Sequence, residues 1–114
     1  MFRRLLLLLL PVVLACGLSA FDLTLQNGTS HFIYDAHVEF DGFRSVGGVF
    51  ASGAAKTHMG VKRSVPPAVT VVWRDVDGKT FSRQVQIPPK YRSATEIVVR
   101  INDDSTITIS DQEL

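Results

Sequence analysis

The chain has 114 residues and a mass of 12.6 kDa, room for one small domain. Twelve Lys+Arg stand against eleven Asp+Glu, a net charge of +1, so the basic excess expected of a nucleic-acid-binding domain is missing. With 20% charged and 46% hydrophobic residues, a chain disordered throughout is excluded as well.

Residues 1–15 read as an export signal. Arg3 and Arg4 form a short basic segment, and Leu5–Leu10 with Pro11-Val12-Val13-Leu14-Ala15 form the apolar stretch. Eleven residues of helix rise only about 16 Å, against roughly 30 Å for a hydrocarbon core, so the stretch is too short to span. The residues after Arg4 do not extend a twin-arginine motif, which points to export as an unfolded chain. Val13-Leu14-Ala15-Cys16 resembles a bacterial lipobox, in which the signal is cut before a cysteine that carries the lipid. The alternative is a secreted protein cut after Gly17 or Ala20. Cys16 is the only cysteine, so no internal disulfide is available, and acylation accounts for the lone exported thiol. Two or three acyl chains, at about 0.8 kcal/mol per buried methylene, give an effectively permanent membrane attachment. By resemblance to lipoprotein sorting, Gly17 rather than Asp after the lipidated residue implies the periplasmic face of the outer membrane. Removing residues 1–15 leaves ten basic residues against eleven acidic ones, a net charge of −1, so attachment would rest on lipid and not on a polybasic tail. Three regions follow: signal 1–15, lipidated linker 16–20 and a domain over 21–114.

In that domain the apolar period is two. Phe21, Leu23 and Leu25 alternate with polar residues, and Asn27-Gly28 reads as the turn that closes the segment. Phe32, Tyr34, Ala36, Val38 and Phe40 are expected on one face, with His31, Asp35, His37 and Glu39 on the other. Asp41-Gly42 signals a hairpin into Phe43-Arg44-Ser45-Val46. Gly47-Gly48 and Val49-Phe50-Ala51 suggest a kinked short strand. Lys56 to Pro67 reads as an irregular connection with a short edge strand at Thr57–Val61. Val69, Val71 and Trp73 mark the strongest strand, and Asp75–Lys79 a hairpin loop into Thr80–Ile87. Ile97–Ile101, apolar also at Val98, is expected to be central, and Ile107 with Ile109 forms the last strand. Seven or eight short strands with regular turn signals predict an all-β, immunoglobulin-like antiparallel sandwich without the antibody-type cysteine pair.

Little in the residues points to chemistry. No serine sits in a Gly-x-Ser-x-Gly elbow; Ala51-Ser52-Gly53 lacks the first glycine, so no catalytic residue and no enzymatic activity are expected. His31, Asp35, His37 and Glu39 are same-face candidates for a metal, but neighbours on one strand face lie roughly 6.6–7 Å apart, and an ordinary solvated face accounts for them. Asp75-x-Asp77-Gly78 begins like a calcium loop but has Gly78 directly after the second Asp and lacks the closing Glu; a tight Asp-Gly hairpin accounts for it. No metal or cofactor is expected. Lys56, Lys62 and Arg63 on one connection, and Lys90, Tyr91 and Arg92 on another, are the candidate partner-binding residues, since Tyr and Arg are enriched at interfaces.

Leu23–Asn27, Ile33–Gly42, Gly47-Gly48, Val69–Trp73, Asp77-Gly78-Lys79 and Val85–Pro89 together resemble a group of small, functionally uncharacterised lipoproteins of Gram-negative bacteria. Members often carry cysteines after the glycine-rich segment, and this chain has none there. Some small periplasmic lipoproteins of this type are immunity proteins that neutralise toxic lipases delivered by neighbouring cells. The resemblance therefore implies a non-catalytic binding protein, an inhibitor or immunity protein against an envelope-targeting effector, with an envelope structural or assembly accessory as the alternative. It transfers no inhibitory residue. Cys16→Ala is expected to abolish incorporation of a palmitate analogue and release the protein from membranes; a wild-type protein that takes up no lipid label would contradict the lipobox reading.

Overall fold

Period-two alternation gives strands with one buried side in β1, β2, β5 and β7, within a set of eight strands among the described residues. The computed structural model describes residues 20–45 and 47–111; the signal, Cys16 and Val46 lie outside the described residues. The strands are β1 (Phe21–Gly28), β2 (Tyr34–Phe40), β3 (Phe43–Arg44), β4 (Ala55–Val61), β5 (Ala68–Arg74), β6 (Thr80–Gln86), β7 (Glu96–Asn102) and β8 (Ile107–Ser110), with one 3₁₀ turn at Pro89–Tyr91. They form two four-stranded sheets, β4-β1-β7-β8 and β3-β2-β5-β6. This is the expected sandwich.

The core lies between the sheets. One sheet supplies Phe21, Leu23 and Leu25 from β1 and Ile97, Val99 and Ile101 from β7. The other supplies Ala36, Val38 and Phe40 from β2 and Val69, Val71 and Trp73 from β5. Phe21 and Phe40 meet across the gap with ring centroids 6.1 Å apart. Trp73 is 3% exposed and stacks on Phe81 at 5.1 Å and 7°. As expected, β7 is central, between β1 and β8, and Val98 on its second face is also buried.

Several local expectations are corrected. β1 and β7 pair in parallel, from Asp22↔Glu96 to Gly28↔Asn102, within an otherwise antiparallel sandwich. The intervening strands β2–β6, of which only β4 lies in the same sheet, supply the long crossover that a parallel pair requires. Asn27-Gly28 is not a turn but the end of β1. Gly28 is needed there for close approach: a Cβ would lie 2.5 Å from Arg100 Nε and 2.8 Å from the Ile101 carbonyl oxygen. The alternation of β2 changes phase at Asp35, whose φ of +52° marks a bulge where the register with β5 shifts. Ile33 and Ala36 are both buried as a result, while Phe32 is half exposed. Val49-Phe50-Ala51 is not a strand; it contributes a single bridge, Ile33↔Phe50. The edge strand expected at Thr57–Val61 begins two residues earlier, which places Lys56 in β4.

Trp73→Ala removes the largest side chain of the β5 core face. It is expected to cost about 3–5 kcal/mol, read from the denaturant midpoint at unchanged m-value.

Candidate functional site

The two ends of the sandwich differ in charge. Ala20 enters β1 at one end and shares a hollow of about 270 Å³ with Arg63 and Arg92. Lys62 follows the last residue of β4, and Lys90 lies in the 3₁₀ turn leading to Arg92. Arg63 Nη1 donates to the Asp41 carbonyl oxygen at 2.9 Å, tying this segment to the β2–β3 hairpin. Five of the six residues proposed from sequence as partner contacts therefore gather at the Ala20 end. Within that group Tyr91 is half-buried against the core rather than presented to solvent, and Lys90 Nζ lies 5.0 Å from the centroid of its ring. Lys56 is separate from them: it is in β4, opposite Leu25, with Nζ 4.7 Å from the centroid of the Phe50 ring.

The opposite end is built from the 28–33 segment, the Asp75–Lys79 loop and the Asn102–Thr106 loop. Here Phe32 and Val76 are 50% and 56% exposed, beside a hollow of about 230 Å³ floored by Trp73 and Phe81. Asp75, Asp77 and Asp103 line it, and Asp104 follows Asp103 in the same loop. Sequence reasoning did not find this group, because its members lie on three separate turns and each reads as ordinary turn chemistry.

One buried amide organises this end. Asn27 has no exposed surface. Its Nδ2 donates to the carbonyl oxygens of His31 (2.7 Å), Phe50 (3.1 Å) and Ala51 (3.1 Å). Its Oδ1 accepts from Thr29 N at 2.9 Å and from Thr29 Oγ1 at 2.6 Å. Its main chain is also engaged: Asn27 N donates to the Ala54 oxygen and Gly53 N donates to the Asn27 oxygen, both at 2.8 Å. Asp103 Oδ1 then accepts from Ser30 N at 2.9 Å, joining the β7–β8 loop to the same segment.

The Asp75 and Asp104 carboxylates are occupied locally. Asp75 Oδ1 accepts from the main-chain N–H groups of Asp77 and Lys79, both at 2.9 Å, and Gly78 has φ +84°. This is a hairpin loop whose first carboxylate oxygen caps its own backbone. Asp104 accepts from the Thr106 hydroxyl and amide, which hold its carboxyl below the ordinary value, the hydroxyl contributing most. That lowering adds stability above the ordinary carboxylate range, and the contribution is lost as pH falls through the folded-state value.

The four acidic and imidazole groups considered for a metal are not gathered. Asp35 pairs with Arg74 Nη2 at 2.9 Å. The buried His37 has Nε2 2.7 Å from Glu39 Oε1 and Nδ1 2.9 Å from the Asp35 carbonyl oxygen. Among the described residues no three His, Cys, Asp or Glu side chains lie together as a metal-holding set.

Neither a family model nor a curated protein matches the chain. Among solved structures, the NMR structure of a protein from Eubacterium rectale matches with a TM-score of 0.60 at 12% identity, over 86% of this chain and 93% of that one. At this identity the likeness bears on the fold alone.

Asn27→Ala removes one of two donors from each of the His31, Phe50 and Ala51 carbonyl oxygens, and the acceptor of the Thr29 amide and hydroxyl, from a site with no exposed surface. The expected loss is on the order of 3 kcal/mol, seen in denaturant unfolding. A loss below about 0.5 kcal/mol would show that water replaces the amide freely.

Proposed function

We propose that the protein is a non-catalytic binding protein of the bacterial envelope, lipid-anchored through Cys16 at the periplasmic face of the outer membrane. Its partner is a protein, engaged in the manner of an inhibitor or immunity protein against an envelope-targeting effector.

The observation that carries the reading is the position of Ala20. It lies four positions after Cys16, a reach of at most about 14 Å. A lipid on Cys16 would hold the Ala20 end, with Lys62, Arg63, Lys90 and Arg92, toward the membrane. The end bearing Phe32, Val76 and the four aspartates would then face away from it. Half-exposed apolar side chains on loops fixed to a rigid scaffold, with polar residues around them, are the usual make-up of a recognition surface. The carboxylates would select a partner with a basic rim and speed its approach.

The test is capture of partners from envelope extract with the membrane-anchored protein, beside two double variants. Phe32→Ser with Val76→Ser should reduce capture of a specific partner at least tenfold. Lys62→Glu with Arg63→Glu should leave it within about twofold, with both melting temperatures near wild type. The reverse pattern would put the contact at the anchor end, and capture of no specific partner would contradict the binding reading.

A further inference from the structure

A third hollow, of about 340 Å³, opens where the β4 edge of one sheet faces the β3 edge of the other. Its floor is apolar: Leu23 and Leu25 from β1, and Phe50. Its polar residues are Lys56 and His58, which stand opposite Leu25 and Leu23, Ser45, which follows β3, and Thr57, whose hydroxyl is engaged with that of Thr24 at 2.7 Å. The volume is within the range of roughly 300–1,000 Å³ common for small-ligand sites, and an apolar lining with a few convergent polar groups is their usual composition.

Lys56, Ser45 and His58 each have donor capacity that no described residue uses. Lys56 Nζ lies over the Phe50 ring and forms no ion pair with any carboxylate among the described residues. Ser45 is buried, and its Oγ accepts from Val38 N at 2.8 Å, but its own O–H donates to no described group. His58 meets the Phe43 ring edge-on at 5.0 Å and 81°, with no hydrogen bond from its ring nitrogens to another described residue. Gly48 lies beside the ammonium. A Cβ on Gly48 would sit 2.7 Å from Lys56 Nζ, and Gly48 has φ +142°, where side chains are disfavoured. An inward-pointing lysine protects an edge strand from pairing with another chain. Edge protection does not call for an apolar hollow beneath the charge or for a buried hydroxyl left with a free proton.

We infer that this cleft binds a small carboxylate with an apolar body. The carboxylate would accept from Lys56 Nζ and Ser45 Oγ, and the hydrocarbon part would lie on Leu23, Leu25 and Phe50. The site is independent of the proposed partner surface: it lies along the sheet edge and uses none of that surface's residues.

The test is a titration of backbone amide shifts of the 114-residue chain carrying Cys16→Ala, which keeps lipid out of the assay. Sodium hexanoate is the probe, with hexanol and acetate as comparisons. Hexanoate should produce saturating shifts at Leu23, Leu25, Ser45 and Thr57. Hexanol, without the charge, and acetate, without the apolar body, should bind at least tenfold more weakly. Lys56→Met keeps the apolar stem and should weaken hexanoate at least tenfold, whereas Lys56→Arg should retain it within a few-fold. Equal binding of hexanol and hexanoate, shifts confined to other surfaces, or unchanged affinity in Lys56→Met would each overturn the inference. The comparison of ligands on the parent chain decides the matter even if a Lys56 variant folds poorly.

Discussion

The side-chain amide of Asn27 is the interaction on which one whole end of the sandwich depends. A buried amide is costly unless its donors and acceptor are met, and here all of them are. The groups it meets are the Thr29 hydroxyl and main-chain atoms of two segments that lack a sheet ladder of their own. Residues 29–33 and 50–54 have one bridge between them and otherwise mostly local bonds, so little besides a further donor and acceptor ties them to the sheet. Asn27 supplies both from within β1, the strand that also pairs with both β4 and β7. A loop region is thereby fastened to the centre of the sheet. Gly28, next in sequence, lets β1 and β7 approach closely at the same level.

That fastening bears on what the two ends can do. A recognition surface made from loops loses affinity when the loops must be ordered on binding, and prior ordering removes that cost. The segment carrying Phe32 is held by Asn27 through His31 and Thr29, and by Asp103 through Ser30. The loop carrying Val76 is held by the Asp75 carboxylate. The Ala20 end is built differently, with long cationic side chains around the entry of the chain. Under the proposed anchorage these are the membrane-side and partner-side ends, and the separation follows from the direction of β1.

Much of the fold was legible because period-two alternation and turn residues are local signals. Trp73, the Asp41-Gly42 hairpin, the centrality of Ile97–Ile101 and the two-sheet class all follow from them. What failed was whatever depends on a distant partner. Asn-Gly has strong turn chemistry, and only the segments at 29–33 and 50–54 reveal that Asn27 is a buried hub instead. The β2 phase change rests on one residue, Asp35, in the left-handed region, which alternation alone does not register. The parallel pairing of β1 with β7 links residues about seventy positions apart, beyond any local pattern. Basic residues were legible as a class, but their division between the Ala20 end and the β4 cleft was not, because it depends on strand register. The acidic and apolar end was missed for the same reason, since three turns contribute to it.

Native-state hydrogen exchange tests the central claim, that Asn27 makes the 29–33 and 50–54 segments part of the cooperative core. The amides of Thr29, Phe50, Gly53 and Ala54 should exchange with the same opening free energy as Val99 in β7, and respond to denaturant with the same slope. Exchange of these four amides through local openings several kcal/mol easier than that of Val99, with little denaturant dependence, would contradict it.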